Sequence, residues 1–236
     1  MHPAESSDGR VVDNRPMPLA DPIVLTAAEA RVLGALAEKS VTTPEYYPLS
    51  LNALINACNQ RSNREPPMNL DEDEVRQALH GLEDKGLAGR ARLADGRVTK
   101  YEHWLGEAFN FSRAEEALVC VLLLRGPQTA GELRGRTERM HRFDEIADVL
   151  AGLQKLMERE SPLAAVLPRQ LGLKEPRYAH LLSGPVESIA FTAAVSAAGG
   201  DAGLRDERIA QLEADVAGLR QEVAALRQKM ESLGSD

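Results

Sequence analysis

Apolar residues recur at helical spacing in several separate stretches of this chain, each opened by a cap. Thr26 and Glu29 form a capping box behind Leu25, and Val32, Leu33 and Leu36 then share one face. Prolines and β-branched residues between 40 and 48 break that helix, and a second, with Leu51, Leu54 and Ile55 inward, is predicted over 50–59. The stretch 70–104 is the most legible. Asp71 and Glu74 make another box, Leu70 and Val75 a hydrophobic staple, and Val75, Leu79 and Leu82 an apolar stripe. Gly86 accepts the left-handed cap that stops this helix. Residues 87–93 and 98–104 then flank Ala94-Asp95-Gly96-Arg97, and Asp-Gly is a strong hairpin signal. A helix that stops at glycine and runs into a hairpin is the back half of a winged helix.

The pattern then repeats. Ser112 and Glu115 form a box, and Leu118, Val119, Leu122 and Leu123 echo the first helix. Thr129 and Glu132 open a short second helix; Ile146, Val149, Leu150, Leu153, Leu156 and Met157 predict a long third one. Leu150-Ala151-Gly152-Leu153 repeats Leu79-His80-Gly81-Leu82. Residues 163–167 and 178–182 supply a second hairpin, with Gly172 and Pro176 in its turn. The expected fold class is mainly α with small β-hairpin wings (α+β), as two tandem winged-helix domains at 22–106 and 107–182. Residues 1–21, rich in Asp, Pro, Gly and Ser without periodicity, read as a disordered tail, and 183–203 as a linker.

From 204 to 233 the period changes to seven. Ile209, Val216, Val223 and Met230 hold the a positions; Leu212, Leu219, Leu226 and Leu233 hold the d positions. That combination favours two parallel strands. In such a pair Arg208 meets Glu213, Asp215 meets Arg220 and Glu222 meets Arg227, all opposite in sign. A C-terminal coiled-coil helix making a homodimer is the expectation. Ala210, Ala214, Ala217 and Ala224 leave open the alternative that this helix packs back on the domains.

Net charge is −8, a poor balance for indiscriminate binding to phosphate backbones. Placement qualifies the sum. Residues 1–49 carry 4 basic and 7 acidic side chains and 183–236 carry 5 and 9, whereas 106–182 carry 11 of each. Cys58 and Cys120 lie far apart within apolar helical patterns, which fits buried thiols in a reducing compartment. With no run of 18 apolar residues and a polar start, the expectation is a cytoplasmic chain without a membrane segment.

No Gly-rich phosphate loop, His-Glu-x-x-His or Gly-x-Ser-x-Gly occurs, and the five histidines are scattered singly. No catalytic site, metal or cofactor is expected. The sharpest candidate is the loop holding Asn59, Gln60, Arg61, Asn63 and Arg64, between the second and third helices, where winged helices approach a DNA groove. Arg pairs with guanine and Asn or Gln with adenine. The alternative is structural: Asn and Ser satisfying turn backbone, and Arg61 and Arg64 pairing with Glu65 or Asp71. Asp71-Glu72-Asp73-Glu74 at the start of the third helix repels phosphates, so DNA contact there would use the loop and the wing, with Arg90, Arg92, Arg97 and Lys100. An ordinary solvated hairpin is the competing reading of that wing. In the second domain Arg134, Arg136, Arg139, His141 and Arg142 crowd nine residues at the corresponding place, diluted by Glu132 and Glu138.

Arg-Val-Leu-Gly-Ala-Leu-Ala-Glu-Lys-Ser at 31–40, Pro-Glu-Tyr-Tyr-Pro-Leu-Ser at 44–50 and Asn-Ala-Cys-Asn-Gln-Arg-Ser-Asn-Arg-Glu-Pro at 56–66 closely resemble the YceH family of bacterial proteins. The resemblance covers most of 22–182 and implies tandem winged-helix domains; it implies no activity. A dimeric DNA-binding or regulatory factor is the expected function, with double-stranded DNA as partner. A protein-interaction adaptor docking a protein partner on its winged helices is the alternative.

Overall fold

The computed structural model describes residues 23–91, 98–167 and 175–185. The heptad segment with Ile209, Leu212, Val216, Leu219, Val223, Leu226, Met230 and Leu233 lies outside the described residues, as do the 1–21 tail, Arg92 and Arg97. Among the described residues no helix is long and apolar enough to cross a membrane.

The protein is mixed α+β, with helices around two small antiparallel sheets. In the first half, α1 (Ala27–Thr42), β1 (Leu49–Ser50), α2 (Leu51–Cys58), α3 (Glu72–Asp84), β2 (Ala88–Arg90) and β3 (Lys100–His103) follow in order. After a short α4 (Leu105–Phe109), the second half runs α5 (Arg113–Arg125), β4 (Gln128–Thr129), α6 (Ala130–Thr137), α7 (Ile146–Met157), β5 (Ala164–Val166) and β6 (Arg177–His180). The helix starts follow the caps. Thr26, Asp71, Ser112 and Thr129 each accept from the amide three residues on, and Glu29, Glu74, Glu115 and Glu132 return the bond.

Each sheet has three strands where the hairpins alone predicted two. The orders are β1-β3-β2 and β4-β6-β5. The added strands have two residues apiece, pairing Leu49 with Tyr101 and Gln128 with Tyr178, and so short a strand has no alternation to read. The central strands show the repeat plainly, Lys-Tyr-Glu-His in β3 against Arg-Tyr-Ala-His in β6. The short α4 was not foreseen either.

The largest difference from expectation is burial. Amphipathic spacing predicts one inward face per helix, yet α1 is buried continuously from Glu29 to Ala37 and α5 from Ala117 to Leu124. Such enclosure means both helices are covered on all sides. Each lies against its own half on one side and against the other on the opposite side. At their contact Gly34 is required, because a Cβ there would stand 2.9 Å from Leu124 Cδ2, and Cys120 Sγ donates to Gly34 O at 3.4 Å. Leu33, Leu36, Leu118 and Leu122 are fully enclosed, each burial worth roughly 1.5–3 kcal/mol. Backbone bonds stitch the same seam, Leu25 N–H to Leu182 O at 2.6 Å and Glu65 N–H to Leu124 O at 2.8 Å.

Candidate functional site

The segment from 59 to 71 leaves α2 at a half-buried Asn59 that grips Leu70, near the segment's far end, in both directions. Its Nδ2 donates to Leu70 O and its Oδ1 accepts from Leu70 N–H, both at 2.8 Å. Arg64 is more deeply committed. Its side chain is fully buried, with Nε donating to Ala57 O at 3.0 Å and Nη1 and Nη2 meeting the Glu38 carboxylate at 3.2 and 2.6 Å. The partner lies 26 residues upstream on α1, not in the neighbouring Glu65 or Asp71. Burial pushes the Glu38 carboxyl up, but the bonds and charge of Arg64 outweigh it and hold the group below its usual value. Asn63 adopts a left-handed φ of 63°, which asparagine tolerates, and its side-chain oxygen accepts from Arg125 at the end of α5. Beneath the loop, Arg31 is 2% exposed and donates to Cys58 O at 3.0 Å and Pro66 O at 2.5 Å.

With Asn59 and Arg64 bonded inside the fold and the exposed Asn63 held by Arg125, Gln60, Arg61 and Ser62 form the outward edge. They border a cleft of about 440 Å³ with Asn63, whose other walls are Glu38 and Lys39 of α1 and Arg139 from the second half. Lys39 Nζ donates to Gln60 Oε1 at 3.5 Å and stands 3.3 Å from Glu38 Oε2. Two sequence candidates 78 positions apart in number, Arg61 and Arg139, thus share one cleft. Lys39, Glu38 and Arg125 belong to this site and were missed from sequence. The basic last turns of α1 and α5 were the available signal.

The rest of the second basic loop is divided. Arg134 donates through Nε to Phe143 O at 3.2 Å and through Nη2 to Asp144 O, closing the loop it starts. Arg136 pairs with Glu132 at 3.4 Å, and Arg142 lies exposed, 3.8 Å from Asp144. In the first sheet Arg90 is exposed at the end of β2 and Lys100 half-exposed at the start of β3, apart from the cleft.

A serine, a histidine and a glutamate also line up within the fold. His103 Nε2 lies 3.1 Å from Ser40 Oγ, and Nδ1 lies 3.7 Å from Glu116 Oε1. The ring is used structurally: Nδ1 accepts Leu105 N–H at 3.3 Å, so Nε2 carries the proton toward Ser40, whose hydroxyl donates to Ala37 O. Burial lowers this histidine to about 4 and raises Glu116, with Glu107 adding to the latter. No nucleophile–base pairing results. Cys58 and Cys120 are buried free thiols, Cys58 pushed up to about 12 by burial.

The family model described as "Protein of unknown function, DUF480" matches residues 25–173. The chain belongs to the DUF480 family. It is 59% identical over 211 residues to a UPF0502 protein of Koribacter versatilis (strain Ellin345), covering 89% of this chain and 97% of that one. A UPF0502 protein of Geobacter sulfurreducens is 53% identical over 215 residues, 90% and 98% of the two chains. Membership bears out the family resemblance carried by the 31–66 strings. Those strings supply Glu38, Lys39, Gln60, Arg61 and Ser62, so most of the cleft in this DUF480 chain is built from them.

Proposed function

We propose that this DUF480 chain is a non-enzymatic, cytoplasmic protein of two tandem winged-helix domains that binds double-stranded DNA as a dimer. The observation that carries the reading is the cleft where residues 60–63 meet Arg139. These come from the segments before the third helix in each half, the place from which winged helices reach a groove. The repeated element order supports the domain reading. Lys39, Arg61 and Arg139 supply cations there, and the wing adds Arg90 and Lys100, with Arg92 and Arg97 between them in sequence. The third helices do not read bases: α3 opens on exposed Glu72 and Asp73, and α7 presents exposed Ile146 and Leu150. Binding is therefore dominated by phosphates and weakly selective for sequence. The heptad segment pairs two copies and doubles the phosphate contacts.

Duplex binding measured across salt tests this. Contact with three or more phosphates gives a log–log slope of about −2.7 or steeper, and Arg61→Glu with Arg139→Glu abolishes binding. Light scattering on the full chain and on one ending near residue 200 tests the dimer, and a full-length monomer defeats it. The exposed acidic face of α3 and apolar face of α7 favour a second reading, an adaptor that docks a protein partner. Absence of duplex binding at low salt selects it.

A further inference from the structure

We propose that the cleft between α1, the 60–63 loop and Arg139 is a site for a phosphate group, gripped by Arg61 and Arg139. The proposal rests on the DNA reading only for where the phosphate comes from. One carboxylate, Glu38, lines the cleft with three cations, Lys39, Arg61 and Arg139, and its oxygens already receive the buried Arg64 and stand 3.3 Å from Lys39. The balance of charge in the cleft is therefore positive and open to an outside anion. Arg61 and Arg139 have no ion pair or hydrogen bond among the described residues. Both guanidinium forks remain available, and such forks match phosphate oxygens two at a time. Gln60 turns its oxygen to Lys39, which leaves its amide N–H groups to donate outward beside the Ser62 hydroxyl.

Arg125, bonded to Asn63, is lowered by burial and by neighbouring Arg136 and Arg64, and Arg136 keeps a buried Nη1 without a hydrogen-bond partner. The nearby acids are spent or set aside. Glu132 pairs with Arg136 and Arg177, and Glu138 and Glu65 are exposed and do not line the cleft. Two forks, an ammonium, a hydroxyl and an amide exceed what the two oxygens of a carboxylate can accept; a phosphate has the oxygens to take them. At about 440 Å³ the cleft falls within the ~300–1,000 Å³ of small-ligand sites, so it admits a phosphate with a group attached. Both halves contribute, so occupancy ties one to the other.

The test is calorimetric titration of inorganic pyrophosphate into the full chain at low salt, with acetate as control. Pyrophosphate is expected to bind and acetate not. Arg61→Ala and Arg139→Ala each weaken it about tenfold, the double variant abolishes it, and Arg113→Ala, at the exposed start of α5 and outside the cleft, leaves it unchanged. No pyrophosphate binding, equal binding of acetate, or undiminished binding by the double variant overturns the site. A mixed-sequence duplex separates the sources. Displacement of the duplex by pyrophosphate assigns the site to a backbone phosphate. Pyrophosphate binding without any duplex binding keeps the site, assigns it to a free phosphorylated molecule and overturns the DNA reading. Duplex binding that neither pyrophosphate nor the double variant disturbs overturns the site and leaves that reading to the wing.

Discussion

The two halves share an order of elements and differ in what they show to solvent. Helix α3 exposes Glu72, Asp73, Arg76, Gln77 and His80, whereas α7 exposes Ile146, Ala147, Leu150 and Ala151. The buried residues keep one spacing, Val75, Leu79 and Leu82 in one and Val149, Leu153 and Leu156 in the other, although by the Leu-x-Gly-Leu repeat Leu150, the counterpart of buried Leu79, is exposed. The loops before these helices differ as well. The first is clamped by Asn59, Arg64 and Asn63 to α1, to Leu70 and to α5; Arg134 closes the second by two bonds to backbone. A shared hydrophobic period therefore specifies a shared framework and says nothing about surface chemistry. The more closely anchored first loop carries Arg61 to the cleft that Arg139 also lines.

Truncating the anchors breaks this contrast most directly. Arg64→Ala leaves Glu38 as a nearly buried charge without its main partner and is expected to cost about 3–5 kcal/mol. Arg134→Ala removes two backbone contacts near the surface and should cost about 1 kcal/mol. Urea midpoints compare the two, and equal losses would erase the distinction between the loops.

A smaller effect tests where the halves agree. His103 and His180 end the two central strands, and burial pushes each down to about 4. Between that value and about 6.5 the unfolded chain holds more protons than the folded one, so stability rises with pH and is lost as pH falls. From pH 6.5 to 5.5 the two together should remove about 2 kcal/mol. Glu38 and Glu115, held below their usual values despite burial, add their losses at lower pH. Glu116, raised by burial and by Glu107, gains stability as pH falls and partly opposes the trend. His103→Gln or His180→Gln should each halve the slope, and a slope unchanged by either would dissolve the equivalence.

The smallest change sharpens the difference between the third helices. Leu150 is 41% exposed, so Leu150→Lys should move stability by less than about 0.5 kcal/mol, whereas Leu153→Ala, at a buried position, should cost about 2–5 kcal/mol. Thermal unfolding of the two variants settles it; a large loss at Leu150 would mean that α7 is covered.

Much of the framework was legible because its causes are local. A cap and its partner glutamate lie three residues apart, and an apolar stripe repeats within two turns, so 26–29, 71–74, 112–115 and 129–132 announced their helices. The 59–64 loop was legible as a concentration of hydrogen-bonding side chains, and its family strings identified the family. Neither revealed which side chains face inward. Arg61 and Arg64 are the same residue type three positions apart, yet one borders the cleft and the other is buried against Glu38.

That division was decided by contacts distant along the chain. Glu38 is 26 residues from Arg64, Asn63 is 62 from Arg125, and α1 is enclosed because α5, some 86 positions on at Cys120 and Gly34, lies against it. Local propensity and periodicity determine where helices begin, where they stop and which face is apolar. Which polar groups are desolvated depends on what tertiary packing brings beside them: Arg64 is buried where the Glu38 carboxylate and the Ala57 carbonyl receive it, and Arg31 where the Cys58 and Pro66 carbonyls do.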